Sequence, residues 1–160
     1  MTSEERFVTG AINVWKGNLE RADKLFSNLS PEQLQKEVAP GKNRLIYVWG
    51  HLIAVHDGML PLLGFGPRLH ADFDDLFITR ADKEAPHLPS AEDLKKAWNE
   101  VNGKLADGFA KLSAADWLQK HSAVSQEDFG KEPLRNRFAI LLSRTNHLAS
   151  HLGQTALAAK

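Results

Sequence analysis

The sequence predicts an all-α protein, a four-helix bundle that forms one domain over residues 1-160. Four segments carry apolar residues at spacings of three and four, the pattern of an amphipathic helix facing a core. No segment shows the apolar and polar alternation of a half-buried strand. A chain of 160 residues is long enough to bury a substantial core in one domain.

The first long helix is predicted to begin after Thr2 and to continue to about residue 29. Thr2 and Glu5 have the spacing of a capping box, which satisfies free backbone N–H groups at a helix start. The apolar positions of this helix are Val8, Ala11, Trp15, Leu19, Ala22, Phe26 and Leu29. A short helix follows, because Ser30-Pro31-Glu32-Gln33 supplies an N-cap, a first-turn proline and a third-position glutamine. Pro40-Gly41 ends it.

The second long helix is predicted from about residue 44 to about residue 60, with Pro61 bending or ending it and Gly64-Phe65-Gly66-Pro67 closing it. Its apolar stripe consists of Leu45, Trp49, Leu52, His56, Leu60 and Leu63. Residues 64–89 contain three prolines and an acidic cluster at residues 72–75, with little periodicity. They are predicted to form a long connection and the rim of any pocket.

Two further helices complete the predicted core. Ser90 and Asp93 open a third long helix, and Ser113 with Asp116 opens a second short one. The fourth long helix is predicted after Pro133. Its buried stripe is predicted to be Leu134, Phe138, Leu141, Thr145, Leu148, Leu152 and Ala156.

The long second connection predicts the topology. A helix of about 20 residues is about 30 Å long, and an extended chain covers that distance in roughly ten residues. The connection can therefore return along the bundle, which makes helices two and three parallel and the order up-down-down-up. The two halves also resemble each other weakly, since each has a short capped helix before an Asn-Arg pair, at Asn43-Arg44 and Asn136-Arg137.

Composition argues against several classes of partner. The 20 basic and 20 acidic residues give a net charge of zero without long charged runs, which argues against nucleic acid as a partner. We expect no membrane association, since no apolar stretch approaches the roughly 20 residues of a transmembrane helix. The absence of cysteine excludes disulfides and cysteine metal ligands. The polar start of the chain shows no signal peptide, so we expect a cytoplasmic protein.

Histidines provide the candidate metal ligands. His147 and His151 are four residues apart beside the apolar stripe of the last helix, close enough for two imidazoles to bind one ion. They equally fit half-buried edge residues, and the His-Glu-x-x-His protease motif is absent. His51 lies on a similar flank of the second helix, whereas His56 lies on the apolar stripe and is expected in the core or at an interface. The remaining histidines, expected to be solvated, are His70, His87 and His121.

Trp49-Gly50-His51-Leu52, together with the segment Asn146 to Gln154 that contains both later histidines, resembles the DinB/YfiT-like superfamily of metal-dependent enzymes. The resemblance covers essentially the whole chain. It implies an up-down-down-up bundle and a metal triad of His51, His147 and His151. It implies zinc or nickel as the ion, with manganese or iron as further options. The His-Asp pair of some relatives is not reproduced, because His56-Asp57 comes five positions after His51, so no general base is assigned.

Two classes of function follow. The first is an enzyme acting on a small molecule, either a transferase that uses a low-molecular-weight thiol, as in relatives with known activities, or a hydrolase. Arg44 and Arg144 lie near the proposed ligands and could hold a substrate carboxylate, although both also fit surface arginines that cover apolar rim. The alternative is a non-catalytic metal- or ligand-binding bundle, a stress-linked dimeric module.

A homodimer is predicted as well, partly by analogy with the relatives. The four tryptophans and His56 are many aromatic side chains for one small bundle. Some of them could lie at an interface with a second copy related by a two-fold axis. The residues concerned are Trp15, Trp49, His56, Trp98 and Trp117.

Overall fold

The computed structural model describes all 160 residues, and its regular structure is entirely helical, which confirms the all-α class. In chain order the helices are α1 (Ser3–Ser27), α2 (Pro31–Leu34), α3 (Leu45–Leu63), α4 (Ala91–Phe109), α5 (Ala114–Trp117), α6 (Gln126–Lys131) and α7 (Arg137–Ala158), with a π-helical segment at Asp75–Thr79 between α3 and α4. A single cluster of 27 buried hydrophobic residues draws on all four long helices.

The predicted helix starts are confirmed in detail. Thr2 and Glu5 form a reciprocal capping box at α1. The same arrangement opens α2 at Ser30, α4 at Ser90 and α5 at Ser113. Each of these serines accepts a bond from the third backbone N–H of its helix, so local sequence alone determines where these helices begin.

Helix α3 extends three residues past the predicted end near residue 60, and it closes at Gly64 as predicted. The helix continues through Pro61 to Leu63, because a proline in the last turn removes one backbone bond without breaking the turns before it. Gly64 then ends the helix in the left-handed conformation, with φ of 79°. The amide of Phe65 donates to the carbonyl of Leu60 at 2.8 Å, a closing bond typical of glycine-terminated helices.

Two further predictions about the C-terminal half are wrong. Leu134 was assigned to the buried stripe of the last helix, but it precedes α7 and is 81 % exposed. Ala156 is also exposed, and Thr155 is the buried residue at that end of α7. The sequence also did not predict α6, because this helix buries none of its residues and so has no apolar stripe to detect.

The connection between α3 and α4 is packed against the protein. Phe73 and Phe77 are buried, and Phe77 lies in the π-helical segment. The hydroxyl of Tyr47 on α3 donates to the carbonyl of Arg80 at 2.6 Å. Helical periodicity in the sequence could not predict the packing of this segment. Two phenyl rings four residues apart, rather than an apolar helical stripe, dock it on α3.

Helix α3 is the most apolar element of the chain. It is the one helix long and apolar enough, by length and composition, to cross a membrane, and 72 % of that window is buried inside the protein. We expected no apolar stretch to approach the length of a transmembrane helix, and this expectation was wrong for α3. The only formally charged residue of this helix is Asp57. The burial is that of a core helix surrounded by other helices.

His56 is a core histidine, as one of the two predicted alternatives had it. It is fully buried between Trp15 and Trp98, with ring centroids 4.7 and 5.1 Å from its own. Its Nδ1 lies 2.8 Å from Oδ1 of Asn102 and donates to it. Burial lowers the pKa of His56 to about 3, so the ring is neutral.

The weak internal similarity has a structural counterpart. A short antiparallel bridge joins Glu37 and Arg44 just before α3, and another joins Lys120 and Asn136 just before α7. Each bridge returns the chain from a short helix to the start of a long one. These two long helices, α3 and α7, supply all three candidate metal ligands.

Candidate metal centre

Three imidazoles from α3 and α7 converge on one point. Nε2 of His147 lies 3.2 Å from Nε2 of His51 and 3.2 Å from Nε2 of His151. Each histidine offers a ring nitrogen within 4.8 Å of those of the other two. The structure thus brings together the three residues that the sequence analysis selected, and His56 lies outside the group.

The partners of the other ring nitrogens orient this cluster. Nδ1 of His51 lies 2.9 Å from the carbonyl oxygen of Phe77, which only accepts, so Nδ1 carries the proton. Nδ1 of His151 lies 3.0 Å from Oε1 of Gln154 and donates to it in the assigned amide orientation. In both rings Nε2 is therefore left with a free lone pair directed at His147. Metal-binding histidines are oriented by such outer bonds.

The spacing of these nitrogens fits a divalent ion. Two ligands at about 2.0–2.1 Å from a tetrahedral ion are about 3.3–3.4 Å apart, close to the two observed distances of 3.2 Å. Two unprotonated lone pairs facing a third nitrogen at this range repel each other unless a proton or a cation lies between them. The donor set and its spacing are thus compatible with a divalent metal site. His147 completes the set, although its buried Nδ1 has no hydrogen-bond partner.

The protonation states favour metal binding. Burial, followed by the neighbouring His151, His51 and Arg144 in that order, lowers the pKa of His147 to about 4. Burial also lowers the pKa of His151, with a second contribution from His51. Both rings are neutral near pH 7, and the neutral imidazole is the form that binds a metal.

The two candidate arginines have different surroundings. Arg44 caps α3 and forms a bidentate ion pair with Asp82, with Nη2 to Oδ1 at 2.7 Å, and its Nη1 donates to Gln35. The hydrogen bond to Asp82 raises the pKa of Arg44. Arg144 lies one turn before His147 on α7, and its buried Nε has no partner. Of the two, Arg144 is the guanidinium without an ion pair.

The remaining ionisable groups lie outside the cluster. His70 lies 3.1 Å from Glu100, and His121 has a buried Nδ1 without a partner. Asp57 is fully buried and accepts from Arg68 at 3.1 Å and from the backbone amides of Leu69 and His70. These bonds occupy its carboxylate in holding the chain after α3.

The sequence analysis missed the two groups that orient the histidines. Gln154 could have been found, because a residue three positions after His151 lies on the same face of a helix. The carbonyl of Phe77 could not, because backbone atoms carry no residue-specific signal and the contact depends on how the π-helical segment docks. Both groups accept from Nδ1 of a clustered histidine and so orient its ring.

A cavity of about 350 Å³ opens beside the cluster, with His151 in its wall. A larger cavity of about 540 Å³ has Arg44 and His87 in its wall but none of the three clustered histidines. Of these two cavities, only the smaller has a clustered histidine in its wall.

Comparison with known proteins supports the family resemblance. No curated protein is similar enough to this chain to count as a match. A family model described as the DinB superfamily matches residues 15–155, a range that includes the three histidines and all four long helices except the first half of α1 and the last turn of α7. A match over this share of the chain establishes membership: the protein belongs to the DinB superfamily.

Proposed function

We propose that this protein is a metal-dependent enzyme whose divalent ion is held by His51, His147 and His151. The observation that carries the proposal is the convergence of three Nε2 atoms, two pairs of them 3.2 Å apart. Three protein ligands leave a coordination position open, as in catalytic rather than structural zinc sites. Zinc or nickel suits an all-imidazole ligand set, and manganese or iron is a less favoured alternative.

The reaction that we favour is transfer to or from a small external thiol. The chain has no cysteine, so a sulfur nucleophile has to come from a co-substrate. When bound, a divalent ion supplies Lewis acidity that lowers the pKa of a coordinated thiol or water. Arg144, which has no ion pair, is the better of the two arginines to contact a substrate carboxylate, since Arg44 is engaged by Asp82. Hydrolysis is the remaining enzymatic option.

The non-catalytic alternative is less well supported. Histidines of a purely structural cluster are expected to direct their ring nitrogens to neighbouring backbone. Only one such bond is present, from Nδ1 of His51 to Phe77, and it leaves Nε2 directed toward the cluster. The cavity beside His151 fits an enzyme as well as a bundle that binds a ligand without catalysis, and substrate turnover is the readout that separates the two.

We also infer the up-down-down-up arrangement of the long helices, which six contacts support. Phe26 stacks on Trp49, and Trp15 packs against His56, so α1 and α3 run in opposite directions. Trp98 lies by His56, and Phe109 lies by Phe65 just after α3, so α3 and α4 run in parallel. For α7, His147 lies near His51, and Arg137 near Gly64, so it runs opposite to α3. Spin-label distances between helix ends test this, and a long distance between the starts of α3 and α4 would contradict it.

The test of the proposed reaction uses cobalt-loaded protein. Addition of a physiological small thiol is expected to produce a sulfur-to-cobalt charge-transfer band, and His147→Ala is expected to abolish it. Lys131→Ala, on exposed α6, is the matched control and is expected to keep the band. A cobalt spectrum unchanged at millimolar thiol, with water still exchanging at the metal, would refute thiol transfer and leave hydrolysis.

A further inference from the structure

We propose that the cavity beside His151 is the substrate subsite and that Lys42 selects small molecules carrying a carboxylate. This cavity is named the His151 cavity, and its wall consists of Val38, Ala39, Lys42, Asn43, Val48, His151 and Gln154. The inference deepens the proposed function and rests on it, because it names the substrate class of the same site.

The His151 cavity borders the histidine cluster through His151. His151 is the shared wall, and Val48 on α3 lies three residues before His51. A volume of about 350 Å³ lies near the lower end of small-molecule pockets, which suits a metabolite and excludes a large polymer. A molecule bound there has one end beside the ligand His151 and the other at the turn that precedes α3.

That turn is built rigidly by its sequence. Pro40 and Gly41 occupy the central positions of a β-turn closed by the amide of Lys42 and the carbonyl of Ala39 at 2.9 Å. Gly41 has φ of 74°, the left-handed conformation that a type II turn requires at its third residue. The amide of Val38 bonds to the carbonyl of Asn43 at 2.9 Å and closes the loop again. Lys42 and Asn43 are thus held at a fixed edge of the cavity.

Charge distinguishes Lys42 from its neighbours. Within the same loop, Glu37 pairs with Lys83, and Arg44 pairs with Asp82. Lys42 is the one cation that lines the His151 cavity. It forms no ion pair, so its charge is not neutralised. No Asp or Glu lines this cavity. An anionic ligand therefore meets one positive charge and no negative charge in the wall.

The remaining wall residues define the rest of the ligand. Gln154 accepts from His151 through Oε1, which leaves its amide N–H groups available as donors. Val38 and Val48 supply an aliphatic wall between these polar groups. The matching molecule has a carboxylate for Lys42, a short aliphatic body for the valines, and a metal-binding atom beside His151. A small carboxylate-bearing thiol has all three parts.

The test compares two thiols that differ in charge, 3-mercaptopropionate and 2-mercaptoethanol, on cobalt-loaded protein. Lys42→Met is expected to weaken the binding of 3-mercaptopropionate by about fivefold, which is the effect of one solvent-accessible ion pair. The binding of 2-mercaptoethanol is expected to stay unchanged. The difference is expected to shrink at high salt. Lys16→Met, at an exposed position of α1 outside this cavity, is the matched control and is expected to change the binding of neither thiol. Equal effects of Lys42→Met on both thiols, or none on either, would overturn the subsite.

A second readout separates this proposal from the proposed reaction. Succinate, which has carboxylates but no thiol, is titrated into metal-free protein and followed by amide NMR shifts. Shifts at Lys42, Asn43 and Gln154 that disappear in Lys42→Met support the subsite even if no thiol band forms. Shifts confined to the larger cavity, or none at millimolar succinate, would overturn the subsite even if thiol chemistry is found.

Discussion

The ring of Phe77 occupies the space that a Cβ at Gly50 would need, so the π-helical segment lies directly against the backbone of α3. The same residue, Phe77, accepts the Nδ1 proton of His51 through its carbonyl oxygen, one position after the glycine. Gly50 therefore helps to orient His51, a proposed metal ligand, because the absence of a side chain at Gly50 lets Phe77, the hydrogen-bond partner of His51, approach closely.

Gly50→Ala is expected to destabilise the protein and weaken metal binding together. The added methyl group must displace a fully buried ring, and overpacking of this kind costs about 1–3 kcal/mol. Gly58→Ala in the same helix is the control, since nothing lies within 4 Å of its Cβ, and it is expected to stabilise the helix by about 0.5–1 kcal/mol. Denaturant unfolding and metal titration of both variants check this. A Gly50→Ala protein as stable as the parent would show that Phe77 is loosely docked.

His56→Ala and His51→Ala are expected to have opposite consequences. His56→Ala leaves a cavity between Trp15 and Trp98 and removes the partner of Asn102, which together cost about 2–5 kcal/mol, but the metal is retained. His51→Ala is expected to lose stoichiometric metal with its helix content intact. Metal content and circular dichroism distinguish the two. Loss of metal in His56→Ala with retention in His51→Ala would make the triad assignment wrong.

The stability of the metal-free protein is expected to fall with acidification from about pH 6.5 toward about pH 3. The folded state keeps His56 neutral, with a pKa of about 3, whereas the unfolded chain takes up the proton near pH 6.5. Within this window each pH unit costs up to about 1.4 kcal/mol for such a histidine, and His147 acts in the same direction down to about pH 4. Urea unfolding at a series of pH values measures the slope. His56→Gln is expected to have a smaller slope, and an unchanged slope would contradict the buried neutral ring.

A homodimer remains a prediction, and its structural basis has to differ from the one that the sequence suggested. All four tryptophans are buried inside the protomer, so they offer no surface to a partner. Phe7 and Val14, seven residues apart on α1, are 74 % and 59 % exposed and form the apolar surface that a second copy could cover. Sedimentation at roughly tens of micromolar is expected to give a dimer. Phe7→Ser is expected to weaken it, whereas a monomeric parent protein at this concentration would refute it.

Residues with local signatures made much of this molecule predictable from sequence. Ser30, Ser90 and Ser113 bind backbone atoms three residues ahead, so the helix starts could be read directly. His147 and His151 share one helix, so their proximity followed from helical spacing alone. His51 had to be placed by its flank position and by the family resemblance, because its distance to His147 depends on packing between helices.

What sequence reading missed depends on long-range contacts or leaves no apolar pattern. Leu134 was misassigned because an apolar residue just before a helix has the same spacing as one within it. Helix α6 escaped prediction because it buries nothing. The docking of Phe77 on Gly50 could not be predicted, since it joins residues 27 positions apart through shape. The His151 cavity likewise arises only where the turn before α3 meets the end of α7.

The most direct test of the central claim is the metal content of protein purified without chelator or nickel resin. Plasma mass spectrometry is expected to find close to one divalent ion per chain, bound by His51, His147 and His151, and less than a tenth of that in His147→Ala, roughly the discrimination that loss of one of three ligands produces. Parent protein that remains metal-free after equilibration with zinc, nickel, manganese and iron, while fully folded, would contradict the account.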